Sequence, residues 1–143
     1  MTVGTLFFWT CAVQANAVAY SKHANVYLYE LHLGCTHPDN ENDPLCTNGE
    51  VCHEDDLEMV FGTCSSPTSQ QTQVSNEVIS RWVSFAANGN PNIGGHSTWS
   101  NVASSTKLNA LLIGATDAVN QTLYSNSCGP VFGGTVPFNY QLY

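Results

Sequence analysis

Basic side chains are nearly missing from this chain. Only Lys22, Arg81 and Lys107 carry positive charge across 143 residues, against eleven acids, for a formal net charge of −8 at pH 7. Nucleic-acid binding needs clustered Lys and Arg to neutralise phosphates, so no nucleic-acid partner is expected. The same scarcity argues against docking on an anionic membrane surface. No apolar run reaches the roughly 18 residues that would suggest a membrane span. There is no CxxC pair and no zinc-finger Cys/His spacing, which argues against structural zinc. The calcium-loop pattern D-x-[DN]-x-[DN]-G is missing too. No metal is assigned.

The acids that are present are unevenly placed. Eight of the eleven lie between Asp39 and Glu58. Such a cluster reads as a solvated loop, or else as an acidic rim that attracts cationic substrates. Six cysteines, an even count with low charge density, fit a secreted protein in an oxidising compartment. Asn120-Gln121-Thr122 is a glycosylation sequon, consistent with secretion. The apolar stretch Val3 to Ala17 ends in Ala15-Asn16-Ala17, which resembles a cleavage site. But no Lys or Arg precedes it, and Gln14 and Asn16 interrupt its end. It reads as an internal helix of a longer protein, with Met1 an internal methionine or an assumed start.

Periodicity divides the chain into helices and strands. Residues 10–22 are Ala-rich and read as a helix, with Val13, Ala17, Val18 and Tyr20 as its apolar positions. Asn25 to Leu31 is β-branched and aromatic and reads as a buried strand of a parallel sheet. A helix followed by a buried strand points to an α/β protein. Residues 34–51 are loop, rich in Pro and Asn, with Asn48-Gly49 a turn signal. Asp55 to Phe61 suits a short helix, and Cys64 to Gln73 a polar connector. Val74 to Asn88 is the clearest helix, with Val74, Val78, Trp82, Phe85 and Ala86 on one face. Gly89 suits its left-handed cap and Pro91 blocks continuation. Trp99 reads as an anchor in an irregular stretch, and Leu108 to Ile113 as a short strand. Asp117 to Cys128 reads as a last helix with Asp117 near its positive end. The tail from Gly129 is Gly/Pro-rich.

The order of several short motifs is more specific than any of them alone. Cys11 is followed by a helix, then by Val26-Tyr27-Leu28-Tyr29. After the loop comes His53-Glu54-Asp55-Asp56-Leu57-Glu58-Met59-Val60-Phe61-Gly62. Then come Trp82, Phe85-Ala86, Gly89, Pro91-Asn92, Trp99 and Cys128. In this order and spacing the chain resembles the C-terminal portion of type-B carboxylesterases, the cholinesterase-containing family. Their pattern runs H-G-x-E-[LI]-x-x-[VI]-F-G, then W-x-x-F-A-x-x-G-x-P-N. Two positions depart from it: Glu54 stands where the family has glycine, and Asp56 where it has glutamate. Glu54 therefore sits where a small residue lets backbone pack closely.

The resemblance implies an α/β-hydrolase fold, here only its C-terminal part, spanning 1–143 as part of a single domain with few strands. It implies a serine hydrolase of carboxylic esters in which His53 is the triad histidine. Triad members arrive in the order Ser, acid, His, and G-x-S-x-G is absent here, so the serine and the acid are expected upstream. This chain alone is expected to be inactive. Asp56 and Glu54 are candidates for supporting His53. A Cys11–Cys128 disulfide is implied; so long a loop contributes about 4–5 kcal/mol in the chain-entropy model. Cys35, Cys46, Cys52 and Cys64 flank the histidine loop and allow three pairings, among which sequence does not choose. A Cys52 nucleophile beside His53 is a poor alternative, since adjacent residues rarely aim at each other. His23, His32, His37 and His96 read as ordinary, and no cofactor is called for. The expected partner is a small-molecule ester of the full-length protein. Two other readings are a catalytically inactive cholinesterase-like adhesion or storage protein and a small secreted disulfide-linked binding module.

Overall fold

The computed structural model describes residues 5–47, 51–104, 106–114, 118–124 and 127–128. The Asn48-Gly49 turn, Asp117 and the tail from Gly129 lie outside the described residues. The chain divides into two compact units. One comprises Met1–Leu28, Ser100–Ala110 and Asn120–Tyr143, the other Tyr29–Trp99 and Leu111–Val119.

In the first unit a π-helical segment, Thr5–Thr10, leads into α1, Cys11–Tyr20. Four alanines among its ten residues favour this helix. Its buried residues are Cys11, Gln14 and Ala17, spaced by three so that they share one side. Val13 and Tyr20, expected on the apolar stripe, are exposed. Two tethers explain the difference. Cys11 is joined to Cys128, and the Gln14 amide donates to the Leu123 carbonyl at 2.7 Å, which satisfies a polar group where it is buried. The last helix expected over 117–128 is not continuous. Val119–Asn120 is a strand, and among the described residues near its end Ser127 and Cys128 are helical.

In the second unit β1, Tyr29–Leu31, pairs in parallel with β2, Ala110–Ile113, with Tyr29 opposite Leu111 and Leu31 opposite Ile113. The sheet order is β1-β2-β3, where β3 is Val119–Asn120. The Leu112 amide donates to the Ala118 carbonyl at 2.9 Å, which accounts for a strand where a helix was expected. The strand expected from Asn25 is regular only from Tyr29. The residues before it have no ladder: Val26, in the first unit, accepts a single bond from the Val102 amide.

Helix α2, Leu57–Phe61, and helix α3, Ser69–Asn88, complete this unit. Helix α3 starts five residues before Val74, inside the expected polar connector. The cause is a capping box: the Thr68 hydroxyl accepts from the Gln71 amide, and the Gln71 side chain accepts from the Thr68 amide at 2.9 Å, satisfying two otherwise orphaned donors. Thr68→Ala should therefore cost about 1 kcal/mol, read as a lower urea midpoint at unchanged slope. Helix α3 closes at Gly89, φ +68°, whose amide bonds to the Phe85 carbonyl, a left-handed cap that glycine adopts without strain.

The buried side of α3 is Val74, Ser75, Glu77, Val78 and Arg81. Phe85, expected to be buried, is 46% exposed, and Ala86 is exposed. The buried stripe is thus polar at its centre. Arg81 Nε donates to Glu77 Oε1 at 2.7 Å, Nη2 to the Ser97 carbonyl at 2.9 Å and Nη1 to the Pro91 carbonyl at 3.3 Å. Its guanidinium also lies 5.9 Å from the centroid of Trp99. Trp99, the expected anchor, is buried. Its amide and carbonyl both bond to the Asn92 side chain, at 2.6 and 3.0 Å. Tyr29, Trp82 and Trp99 pack together with ring centroids 5.2 to 6.1 Å apart, a range typical of favourable aromatic pairs.

Candidate active site around His53

The chain turns at residues 53–56 directly before α2, and this turn is tied to the segment that follows β1. Gly34 lies against Asp55 so closely that a Cβ there would meet the Asp55 Cβ at 2.8 Å. The Cys35 amide donates to the Asp55 carbonyl at 3.2 Å. Two disulfides, Cys35–Cys64 and Cys46–Cys52, brace the same region. They choose one of the three pairings that sequence left open. Cys35 and Cys64 sulfurs each lie 3.9 Å from the sulfur of buried Met59 in α2.

The centre of this turn is a side chain that sequence reasoning passed over. Asp55 is 1% exposed. Its Oδ1 accepts from the His37 amide at 2.8 Å and from Asn40 Nδ2 at 2.9 Å, and its Oδ2 accepts from the Cys52 amide at 2.7 Å. A buried carboxylate is costly unless its oxygens are paired, and three donors meet that requirement. Asn40 Nδ2 also donates to the His53 carbonyl at 2.7 Å. No periodicity signal marks Asp55, one acid among several, or Asn40, one of several loop asparagines.

His53 itself is displayed at the surface, its side chain 74% exposed, with Nε2 3.9 Å from Glu54 Oε1. Of the two supporting candidates, Glu54 is beside the imidazole and also reaches His37 Nδ1, 3.7 Å away. Asp56 is engaged elsewhere: its Oδ2 accepts from the Tyr29 hydroxyl at 3.0 Å. Burial, and then the adjacent Asp56 charge, push the Tyr29 phenol well above its ordinary value, so it stays protonated and donates.

Glu54 has φ +72°, the left-handed region in which a side chain is strained and glycine is not. This is the position where the resemblance calls for glycine. Glu54→Gly is therefore expected to raise stability by about 0.5–1 kcal/mol. The relief of strain exceeds the extra freedom of the unfolded chain, and the half-exposed histidine contacts contribute little. An unchanged or lower melting temperature would contradict this account.

His37 Nδ1, an Asp39 carboxylate oxygen and a Glu54 carboxylate oxygen lie within 4.8 Å of one another. The Nδ1 lone pair already accepts from the Asp39 amide at 3.2 Å, so a cation there would have to displace a formed bond. Asn120, the sequon residue, is half-buried and accepts from the Thr122 amide at 3.0 Å.

The carboxylesterase family model matches residues 2–130, which takes in the His53 turn, both helices of its unit and the Cys11–Cys128 pair. The chain belongs to the carboxylesterase family. Two solved structures of PNB esterase resemble it. One has a TM-score of 0.68 at 21% identity over 84% of this chain. The other has 0.66 at 24% identity over 82%. These likenesses show the α/β-hydrolase fold, to which the small sheet and the helices of this chain belong. The matches cover 24% and 23% of those esterases, so the chain spans about a quarter of their length. No curated protein sequence matches it. The three disulfides fit an oxidising compartment. Among the described residues no helix is long and apolar enough to cross a membrane.

Proposed function

We propose that these 143 residues are the C-terminal part of a single serine carboxylesterase domain and that His53 is its triad histidine. The nucleophilic serine and the acidic partner lie upstream, as the Ser, acid, His order of these hydrolases requires. The observation that carries this reading is the tethered turn. Asp55 and the Cys35 amide hold the residues around His53 against the segment just beyond β1, while the side chain of His53 is 74% exposed; the hydroxyl it serves would come from another part of the polypeptide. His53 would take the serine proton as the hydroxyl attacks the ester carbonyl. It would return that proton to the leaving alcohol, then repeat both transfers with water. An imidazole suits both directions because its ordinary pKa lies near neutrality. The protein is further proposed to be secreted and glycosylated at Asn120.

The test compares two polypeptides. The one extended through its upstream sequence should hydrolyse a chromogenic aryl ester and be labelled by a serine-directed fluorophosphonate. The 143-residue chain alone should do neither. An extended polypeptide that binds esters without turning them over would overturn the reading. It would favour the inactive, cholinesterase-like alternative, which the strained Glu54 beside the imidazole supports.

A further inference from the structure

We infer that Asn40 and Asp55 form a clamp that positions the His53 imidazole, so that both are positioning residues for ester hydrolysis. This rests on His53 being the triad base. A general base must be held within about half an ångström of its working geometry to be effective, and an exposed ring gains little of that from packing. Its backbone is where the position is set. The Asn40 Nδ2 group joins two acceptors, the His53 carbonyl at 2.7 Å and Asp55 Oδ1 at 2.9 Å. Asp55 Oδ2 fixes the residue before His53 through the Cys52 amide, at 2.7 Å. The Asp55 amide closes the turn on the Cys52 carbonyl at 3.3 Å. His37 completes the frame through its own amide on Oδ1, at 2.8 Å. Residues 52, 53 and 55 are therefore bound to residues 37 and 40 through one buried carboxylate and one amide nitrogen. The Cys46–Cys52 crosslink anchors Cys52 but makes no bond to His53 itself. Asn40 is the group that reaches across from residues 37–40 to the His53 carbonyl.

Asn40 is the better point to cut, because it is only half-buried and the two disulfides remain in its absence. Asn40→Ala in the extended polypeptide is expected to lower kcat by about 10- to 100-fold, the scale of a misplacement near 1 Å. KM should stay within about twofold, because the lost interaction serves the reacting geometry and not substrate binding. Fluorophosphonate labelling should slow in parallel. Asn40→Gln keeps the donor on a longer arm and should recover part of kcat. Asp55→Asn turns a donor toward one of three donors and should resemble Asn40→Ala. His53→Ala serves as the reference. If it retains ester hydrolysis, the assignment of His53 fails and the clamp with it. If it is inactive while Asn40→Ala has wild-type kcat, the clamp alone is overturned. A loss in Asn40→Ala that appears as raised KM, or as lowered melting temperature without recovery in Asn40→Gln, also overturns it, since a merely structural role would give that result. Should Asn40→Ala fail to fold, the kcat of Asn40→Gln decides: reduced at unchanged KM for the clamp, unchanged against it.

Discussion

His53→Ala in the extended carboxylesterase is expected to lower kcat by roughly 10³- to 10⁶-fold, with KM little changed and the fold intact. The size follows from the chemistry: without the base, the serine must attack with its proton unplaced, and the leaving alcohol departs without a donor. The intact fold follows from the geometry. Within this chain the ring is 74% exposed, and the buried contacts of its turn are made by the Asp55 carboxylate. The bond from Asn40 reaches the His53 carbonyl, which alanine keeps. Asn40→Ala makes the opposite cut, removing the support and leaving the ring. The two variants thus separate the imidazole's chemistry from its placement. A His53→Ala protein that turns over esters at a rate near the parent's would show that the base lies elsewhere.

What could be read from sequence was whatever depends on spacing. Helix α3 and its Gly89 cap follow from a 3.6-residue period and a glycine at its end. That β1 belongs to a parallel sheet follows from a helix leading into a β-branched run, though its partner β2 was read only as a short strand. Trp99 as an anchor follows from its size in an irregular stretch. The errors in the two buried helix faces share a cause, which is that periodicity counts apolar residues and ignores paired polar ones. It extended the buried face of α3 to Phe85 because Glu77 and Arg81 look like surface residues until their mutual bond is seen. It drew the stripe of α1 through Val13 and Tyr20 because Gln14 is polar, though its amide is satisfied by the Leu123 carbonyl. The site divides in the same way. The ordered family motif located His53, and the glycine slot at Glu54 was visible as a departure whose physical content, a positive φ, only the backbone supplies. Asp55 and Asn40 were invisible, because their importance lies in contacts between residues 37–40 and 52–55 that no local pattern encodes.

The largest expected effect on stability lies in that buried pair. Arg81 is fully buried and Glu77 nearly so, joined at 2.7 Å. Removing one member of such a pair leaves an uncompensated charge in the interior, which costs about 3–5 kcal/mol. Against the 5–15 kcal/mol that typically stabilises a domain, that is a large fraction of the total. Glu77→Ala leaves Arg81 with the Pro91 and Ser97 carbonyls alone, neutral acceptors that do not balance its charge. Arg81→Ala leaves Glu77 facing His96 Nδ1 at 3.3 Å but frees those two carbonyls and removes the cation beside Trp99, so the loop carrying residues 91–99 is left with its Glu77, Ser84 and Trp82 contacts to α3. Both single variants are thus expected to fall sharply in soluble yield and melting temperature. The double variant Glu77→Leu with Arg81→Met keeps the volume and strands no charge, so it should be less destabilised than the sum of the single variants Glu77→Leu and Arg81→Met by about 2 kcal/mol or more. Simple additivity in that cycle, read from urea melts of the extended polypeptide, would mean that the two side chains stabilise this unit independently. The polar centre of the α3 stripe would then be a coincidence of position and not a pair.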